Sequence, residues 1–488
     1  MFIFSAFIQL LIDIANVIWG WPILILTSFV AVYMTFRLRF FQFRHFGLVM
    51  KETFGKIFDK GSGEGTINPF KAACTALAST LGVGNIAGVS VAIATGGPGA
   101  VFWMCFIAML GLIVKFSVVT LALAYREKDK NTGEWHGGFP WFVKNGLGKN
   151  WKWLSITWTI ILGTGMLVGP ATQSNAIAQS ISGTFSIDPL YVGITICVLE
   201  MLVLIGGLKS ISNFANAVVP FMAIAYIIAS LYVIGINIDA VPHAFAMIFH
   251  DAFTGSAASG GFLGSSIMLC IRWGLARGIF SNEAGTGTAP LVHSSASVNH
   301  PVKQGLWGIF EVFFDTIVVC TMTALVVLTS GLWDSGLNSV SLTAAAFAEG
   351  FGSASVANMF VSIVVAFFGF TTAVVLTYYG GICCMALGFG NKVIKCFYAL
   401  ASFFTIFGAV GGLLTVWSTF DFFFGSAVLC NLVVIFAMRE QIVALVNDYE
   451  DRLKTGAWDA TAADCVERLG LMKKEERFAE AGEEVKSM

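Results

Sequence analysis

The chain has 488 residues, 57% of them hydrophobic and 12% charged, with 45 Phe and a mean hydropathy of +0.80. Soluble domains carry about a quarter charged residues, so this composition excludes an ordinary soluble fold and places the chain in lipid. A formal net charge of -1 offers no basic surface and argues against a nucleic-acid partner.

In chain order, eleven stretches are apolar over roughly the 20 residues that a helix needs to cross the hydrocarbon: 14–36, 70–95, 99–124, 151–180, 189–207, 212–238, 262–290, 304–331, 355–389, 393–415 and 417–438. The opening "MFIFSAFIQLLIDIANVIWGW" has no basic leader and no small-residue cleavage site, and reads as a retained helix. With the N-terminus outside, every segment after an odd-numbered span is cytoplasmic. Lys and Arg segregate there: Arg37 to Lys71, Arg126 to Lys152, Lys209, Lys303, Lys392, Lys395 and the tail. That asymmetry predicts a multi-pass cell-membrane protein with its C-terminus inside. None of the ten cysteines lies in a segment placed outside, so no disulfide is expected.

The second span contains "STLGVGNIAG" and the seventh "RGIFSNEAGTGTAP". Gly-rich, polar backbone survives at membrane depth only inside protein or around a cavity. The two interruptions lie five spans apart. Because five is odd, repeats 70–238 and 262–438 run in opposite orientation. The predicted fold is therefore all-α and integral to the membrane, a 5+5 inverted repeat with its site where the breaks meet. Residues 1–36 form an extra helix, 37–69 a basic cytoplasmic segment and 439–488 a charged, helical, solvated tail.

At a break, free N–H groups suit a carboxylate and free carbonyls suit a small cation. Leu81, Gly82 and Gly84, with Thr80 beside them, are the expected carboxylate site. Asn85 offers one end of its amide to a cation and the other to a carboxylate. Phe280, Ser281 and Asn282, with Gly285 following, are expected at the ammonium, Phe280 doubling as a gate. Gln173 and Asn175 of the fourth span are expected on the opposite wall. In "FFGFTTAVV" the Thr371 and Thr372 hydroxyls either bond back to the preceding turn or join the Phe368 carbonyl around Na⁺.

Competing readings are weaker. "GVGNIAG" as a dinucleotide loop needs a strand before it and an acidic residue about 20 positions on, where "FWMCFIA" stands. The intramembrane ionisable set is Glu200, Glu283, Glu311, Asp315, Lys115, Arg272 and Arg277. Glu311 and Asp315 are one helical turn apart and are expected on one face, pairing with the arginines. Lys115 is about 13 Å from its cytoplasmic end, within reach of snorkelling inward. The six histidines fall in loops or at span ends, and no nucleophile–base set sits at membrane depth, so no enzyme is expected.

The runs "NPFKAACTALASTLGVGNIAGVSVAIATGGPGAVFWM", "RGIFSNEAGTGTAP", "EVFFDTIVVCTMTALVVL" and "FGFTTAVVLTYYG" resemble the alanine/glycine:cation symporter family, over about residues 14 to 438. The resemblance implies a leucine-transporter-like fold and Na⁺-coupled uptake of a small neutral amino acid by alternating access, with Na⁺ as the co-transported ion. It implies a Na⁺ site made of the Ala78 and Leu81 carbonyls with Phe368, Thr371 and Thr372. The chain departs from the family pattern at Val118 and Gly381, where acidic residues are usual, and at Phe424, where Asn is usual. The alternatives are a proton-coupled carrier using Glu283, Glu311 or Asp315, and a channel or solute sensor on the same scaffold. The sequence leaves the oligomeric state open.

Overall fold

The protein is described here by a computed structural model covering residues 2–129, 132–254, 263–411 and 413–472. The first residue of the predicted seventh span and the end of the tail, 473–488, lie outside the described residues. In hydrocarbon a backbone polar group has no water to bind, so each apolar stretch closes its own hydrogen bonds as helix. In chain order the membrane helices are α1 (Phe2–Ile18), α2 (Trp21–Arg37), α3 (Pro69–Thr80), α4 (Ala87–Gly96), α5 (Ala100–Ala124), α6 (Lys152–Phe185), α7 (Pro189–Leu204), α8 (Gly207–Ile236), α9 (Leu263–Asn282), α10 (Pro290–His293), α11 (Pro301–Val312), α12 (Thr321–Thr329), α13 (Ala354–Ala386), α14 (Asn391–Val410) and α15 (Leu413–Ala437). A π-helical stretch, Phe313–Cys320, joins α11 to α12.

All eleven predicted spans are helical over their described residues, apart from the breaks in the second and seventh, and the tenth stops at Val410, before residue 412, which also lies outside the described residues. Among the described residues, eight helices suffice to cross a membrane on length and composition alone, and nine when α3 and the segment Val83–Gly96 count as one span bent by 60°. The other two predicted spans are α7, a shorter apolar helix of 16 residues, and α9, which carries Arg272 and Arg277 and stops at the second break. The first span is longer than predicted, with a turn at Trp19–Gly20 between α1 and α2.

Helix α6 is the spine of the bundle, packing on α13, α14 and α15, while α5 packs on α9 and α11. Helices from both repeats therefore enclose one interior. Outer faces keep large apolar residues exposed, as at Phe221, Ile224, Ile228 and Leu231 of α8 and Phe403 and Phe407 of α14. Lipid covers such faces at no hydrophobic cost.

On the side predicted to be cytoplasmic, the segment before α3 is stitched to the segment after α10. Ser62 N donates to Ser297 O, Thr66 N to Ser295 O, and Ser297 N to Ile67 O at 2.8–3.0 Å. Arg126 clamps this seam, donating to Glu64 O, Ser294 O and Ala296 O at 2.6–2.8 Å.

The tail corrects the expectation of a solvated helix. It is helical at α16 (Arg439–Thr455) and α17 (Ala462–Arg468), but Ile442, Leu445, Val446, Tyr449, Cys465 and Val466 are buried. Spacings of three and four residues make Ile442, Leu445, Val446 and Tyr449 one stripe. Asp448 anchors the dock, accepting from His300 Nε2 at 3.2 Å and Arg468 at 2.7 Å. Burial alone would raise the Asp448 carboxyl, but these donors hold it well below the usual carboxylate range. Burial lowers the proton affinity of His300, ahead of the opposing pull of Asp448.

Candidate substrate and ion site

The first break begins where α3 runs out. Asn68 caps its start, accepting from Lys71 N at 2.7 Å with Pro69 in the first turn. The helix continues until Leu81, whose N–H still donates to Leu77 O at 2.7 Å. Gly82 then turns extended, and Val83–Asn85 makes one tight turn before α4. The Gly82 N–H is shared between Thr80 O at 2.8 Å and Asn85 Oδ1 at 3.0 Å, and Val83 N–H donates to Gln173 Oε1 at 3.3 Å.

The second break reverses the chain through three left-handed residues, Glu283 (φ 54), Gly285 (φ 97) and Gly287 (φ 85). The glycines adopt that conformation freely, whereas Glu283 is strained. Its carboxylate is held in place: Oε2 accepts from Thr288 Oγ1 at 2.5 Å and Ser79 Oγ at 3.2 Å. The carbonyls freed by the break are satisfied by side chains. Lys115 Nζ donates to Asn282 O at 2.9 Å, Asn431 to Gly285 O at 2.8 Å, and Trp158 to Thr286 O at 3.3 Å.

The two breaks meet. A Cβ added at Gly84 would stand 3.3 Å from the Phe280 ring. Asp315, in the π-helical stretch, ties one to the other, with Oδ1 accepting from Asn85 Nδ2 at 2.7 Å and Oδ2 from Ser281 Oγ at 2.8 Å. Beside this junction lies a tight cavity of about 20 Å³, lined by Ser79, Thr80, Gly82, Gly84, Gln173, Phe280, Ser281, Glu283, Thr372, Leu376, Phe420 and Phe424. Phe280 forms one side of an aromatic cluster with Trp417, Phe420 and Phe424, at centroid distances of 5.4–6.0 Å. Arg277 lies over the Trp273, Phe280 and Trp417 rings.

Next to the cavity a set of oxygens converges. Thr372 Oγ1 donates to Ala78 O at 2.9 Å and to Phe368 O at 3.0 Å, and Thr371 Oγ1 to Phe368 O at 3.0 Å. A Cβ at Gly82 would reach Thr372 Oγ1 at 2.6 Å, so only glycine leaves that approach open. The donor set is all oxygen and uncharged, which suits a small hard cation.

Of the residues expected at the substrate, Thr80, Gly82, Gly84, Gln173, Phe280 and Ser281 line the cavity. Leu81, Asn85, Asn282 and Gly285 stand behind it. Leu81 N–H is spent within its helix. Asn85 is buried between Gly82 N and Asp315, not between two ligands. The Asn282 side chain donates to Thr316 Oγ1 at 3.1 Å and caps Ala284 N at 2.9 Å. Asn175 faces elsewhere and binds Gly408 O at 2.8 Å, because two residues along a helix turn a side chain to another face. Of the expected ion ligands, Ala78, Phe368, Thr371 and Thr372 come together.

The ionisable residues also depart from expectation. Glu311 and Asp315 do not share partners: Glu311 meets Lys115 at 3.1 Å and His293 at 2.7 Å, while Asp315 meets Asn85 and Ser281. Glu311 is in α11 and Asp315 in the π-helical stretch that follows it. Lys115 turns to the second break instead of snorkelling, and Arg272 binds Asn16 Oδ1 at 2.9 Å. Phe420, Leu376 and Ser79 were not expected at the site. Each sits one turn or less from a flagged residue, and Ser79 and Leu376 lie inside the quoted runs, but a serine, a leucine or a phenylalanine there has no feature that marks it as facing the site.

Interrupted helices meeting about a polar cavity in a five-plus-five inverted repeat define the secondary transporters of the leucine-transporter type. The structure is similar to a crystal structure of MhsT in complex with L-phenylalanine, with a TM-score of 0.55 and 14% identity, covering 78% of this chain and 89% of that one. A model of the sodium:alanine symporter family matches residues 5–463, and the chain belongs to that family of transport proteins. It is 40% identical over 443 residues to an uncharacterized transporter of Bacillus subtilis, YflA, covering 89% of this chain and 92% of the relative. It is 35% identical over 461 residues to the sodium/alanine symporter AgcS of Methanococcus maripaludis, covering 93% of this chain and 100% of the relative.

Proposed function

We propose that this multi-pass membrane protein couples inward movement of Na⁺ to uptake of a small neutral amino acid, exposing its site alternately to the two sides. The observation that carries the reading is the cavity between the two breaks, with an all-oxygen cation set on one flank. Gly82 and Val83 N–H are held by the neutral oxygens of Asn85 and Gln173. An anionic carboxylate makes stronger bonds to such donors than an amide oxygen does, so the substrate carboxylate displaces them. Glu283, on the opposite wall, faces the ammonium. Phe280, Phe420 and Phe424 crowd the cavity, which supports a short side chain on the substrate.

Ala78 O, Phe368 O and the Thr371 and Thr372 hydroxyls turn from one another to Na⁺. One Na⁺ crossing about 100 mV gains about 2.3 kcal/mol, and a tenfold gradient adds about 1.4 kcal/mol, enough for several-hundredfold accumulation of a neutral solute. The N-terminus lies outside and the docked tail inside. Alanine counterflow in proteoliposomes under imposed Na⁺ or H⁺ gradients tests this. Na⁺-dependent accumulation is expected, and absence of alanine and glycine counterflow under every gradient refutes it.

A further inference from the structure

Beneath the cavity runs a line of buried polar groups that cargo binding does not use. Lys115 of α5 donates to Asn282 O and stands 3.1 Å from Glu311 Oε2. Glu311 Oε1 stands 2.7 Å from His293 Nε2. Across the imidazole, Gln304 Nε2 lies 2.8 Å from His293 Nδ1 and donates to Pro69 O at 3.3 Å. None of the four side chains is more than 1% exposed. The line therefore connects the second break to the first residue of α3, the half-helix leading into the first break.

Hydrogens follow from the donor inventory. A glutamine NH₂ only donates, so Nδ1 of His293 is an acceptor and the proton of the neutral ring is on Nε2, where it makes no hydrogen bond although Glu311 Oε1 stands 2.7 Å away. Placed this way round, the Gln304 amide serves two acceptors at once. A second proton on His293 can go only to Nδ1. An N–H there opposes the Gln304 N–H, and the amide must turn to present Oε1. Pro69 O then faces an oxygen where it had a donor. The tie to α3 is lost because one NH₂ held both ends.

We propose that His293 is a proton-binding site whose second proton, at Nδ1, unties α3 at Pro69 and frees the inner end of the cavity to open. The proposal rests on the alternating-access reading above. The position suits the task, since the residues immediately after His293 form the seam with residues 62–67, clamped by Arg126 at Ser294 O. The charged and titratable neighbours come from every packed element. Glu311 Oε1 stands 2.7 Å from the ring and Lys115 Nζ 3.1 Å from the carboxylate's other oxygen. Glu283 of the second break lies within electrostatic range of Lys115, and Cys74 of α3 and Tyr379 of α13 within range of Glu311. With neutral His293 the Lys115–Glu311–His293 trio has no net charge. The second proton adds one unmatched positive charge, which favours a state in which this end admits water.

Hydrogen exchange of the amides in residues 62–77, measured by mass spectrometry in liposomes and corrected for its intrinsic pH dependence, tests the proposal without substrate. Between about pH 7.5 and about pH 5.5, exchange in the wild-type protein should rise by about tenfold, the equivalent of one lost buried hydrogen bond. His293→Gln should show no such rise, and Gln304→Leu should exchange fast at both values. No acid response in the wild type, or the same response in either variant, overturns it. Should His293→Gln fail to fold, the wild type and Gln304→Leu decide alone. Alanine counterflow in the same liposomes judges the transport reading separately.

Discussion

At the first interruption the amides of Gly82 and Val83 rest on two uncharged side chains, Asn85 and Gln173. At the second, the carbonyls of Asn282, Gly285 and Thr286 are held by Lys115, Asn431 and Trp158, and Glu283 is pinned by Thr288 and Ser79. The first break is closed by weak neutral acceptors that a charged cargo can replace. The second is braced by the protein itself, with a buried cation on one of its carbonyls. On the proposed function the two junctions divide the work: the first receives the cargo, and the second, braced by its own side chains, is the surface it closes against.

The largest expected effect tests the bracing. Lys115→Met leaves Glu311 buried without its cation and Asn282 O without a donor, a change that costs about 3–5 kcal/mol where a buried pair is broken on one side. Thermal unfolding in detergent should show it, and adding Glu311→Gln should recover part of the loss. If Lys115→Met melts like the wild type, the second break is not braced by charge. Next comes occupancy of the first break. Gly84→Leu drives a side chain into the Phe280 ring and should weaken alanine binding by at least tenfold, in keeping with the about 1–3 kcal/mol cost of overpacking, while the fold survives. Retained binding would move the site away from Gly84.

A smaller change separates ion from substrate. Thr372→Val removes one oxygen from the cation set and should raise the Na⁺ concentration for half-maximal uptake about tenfold, from about 1.5 kcal/mol per lost charge-assisted bond. Alanine affinity at saturating Na⁺ should hold. A variant that loses both together would make the two sites one. The smallest effect is a control on acid responses. His300 and Asp448 both bind protons less readily with the tail docked, so the undocked tail takes up more protons. Docking is then fully present above the ordinary histidine value of 6.5 and weakens as pH falls below it. Protease cleavage within 439–472 should rise with acid and be unaffected by His293→Gln.

How much of this could be read from residues alone follows from what each feature does to local composition. Both breaks are legible because glycine and polar residues stand out inside apolar runs, and the spans are legible because each apolar run is about as long as a membrane helix. Thr371 and Thr372 were legible as adjacent hydroxyls at mid-span. The Lys115–Glu311–His293 line was not, since its members come from three separate elements and nothing local to "LVHSSASVNH" marks His293 as buried. Asn85 was read as ligand-facing because its residue type allows it, whereas its partner Asp315 is far along the chain. The docked tail is less legible: its stripe of Ile442, Leu445, Val446 and Tyr449 is in the sequence, but the surrounding charge outweighs it.

The stretch Phe313–Cys320 has a further consequence. A wide turn is what an α-helix becomes when one residue too many is accommodated, and the register on either side of it sets where Asp315 meets Asn85 and Ser281. Deleting a single residue between Glu311 and Asp315 would tighten the coil and swing Asp315 by about 100°, away from Asn85 and Ser281. The protein has in effect stored a register choice in this segment, so a shift of one residue there would uncouple the two halves of the molecule without touching either of them.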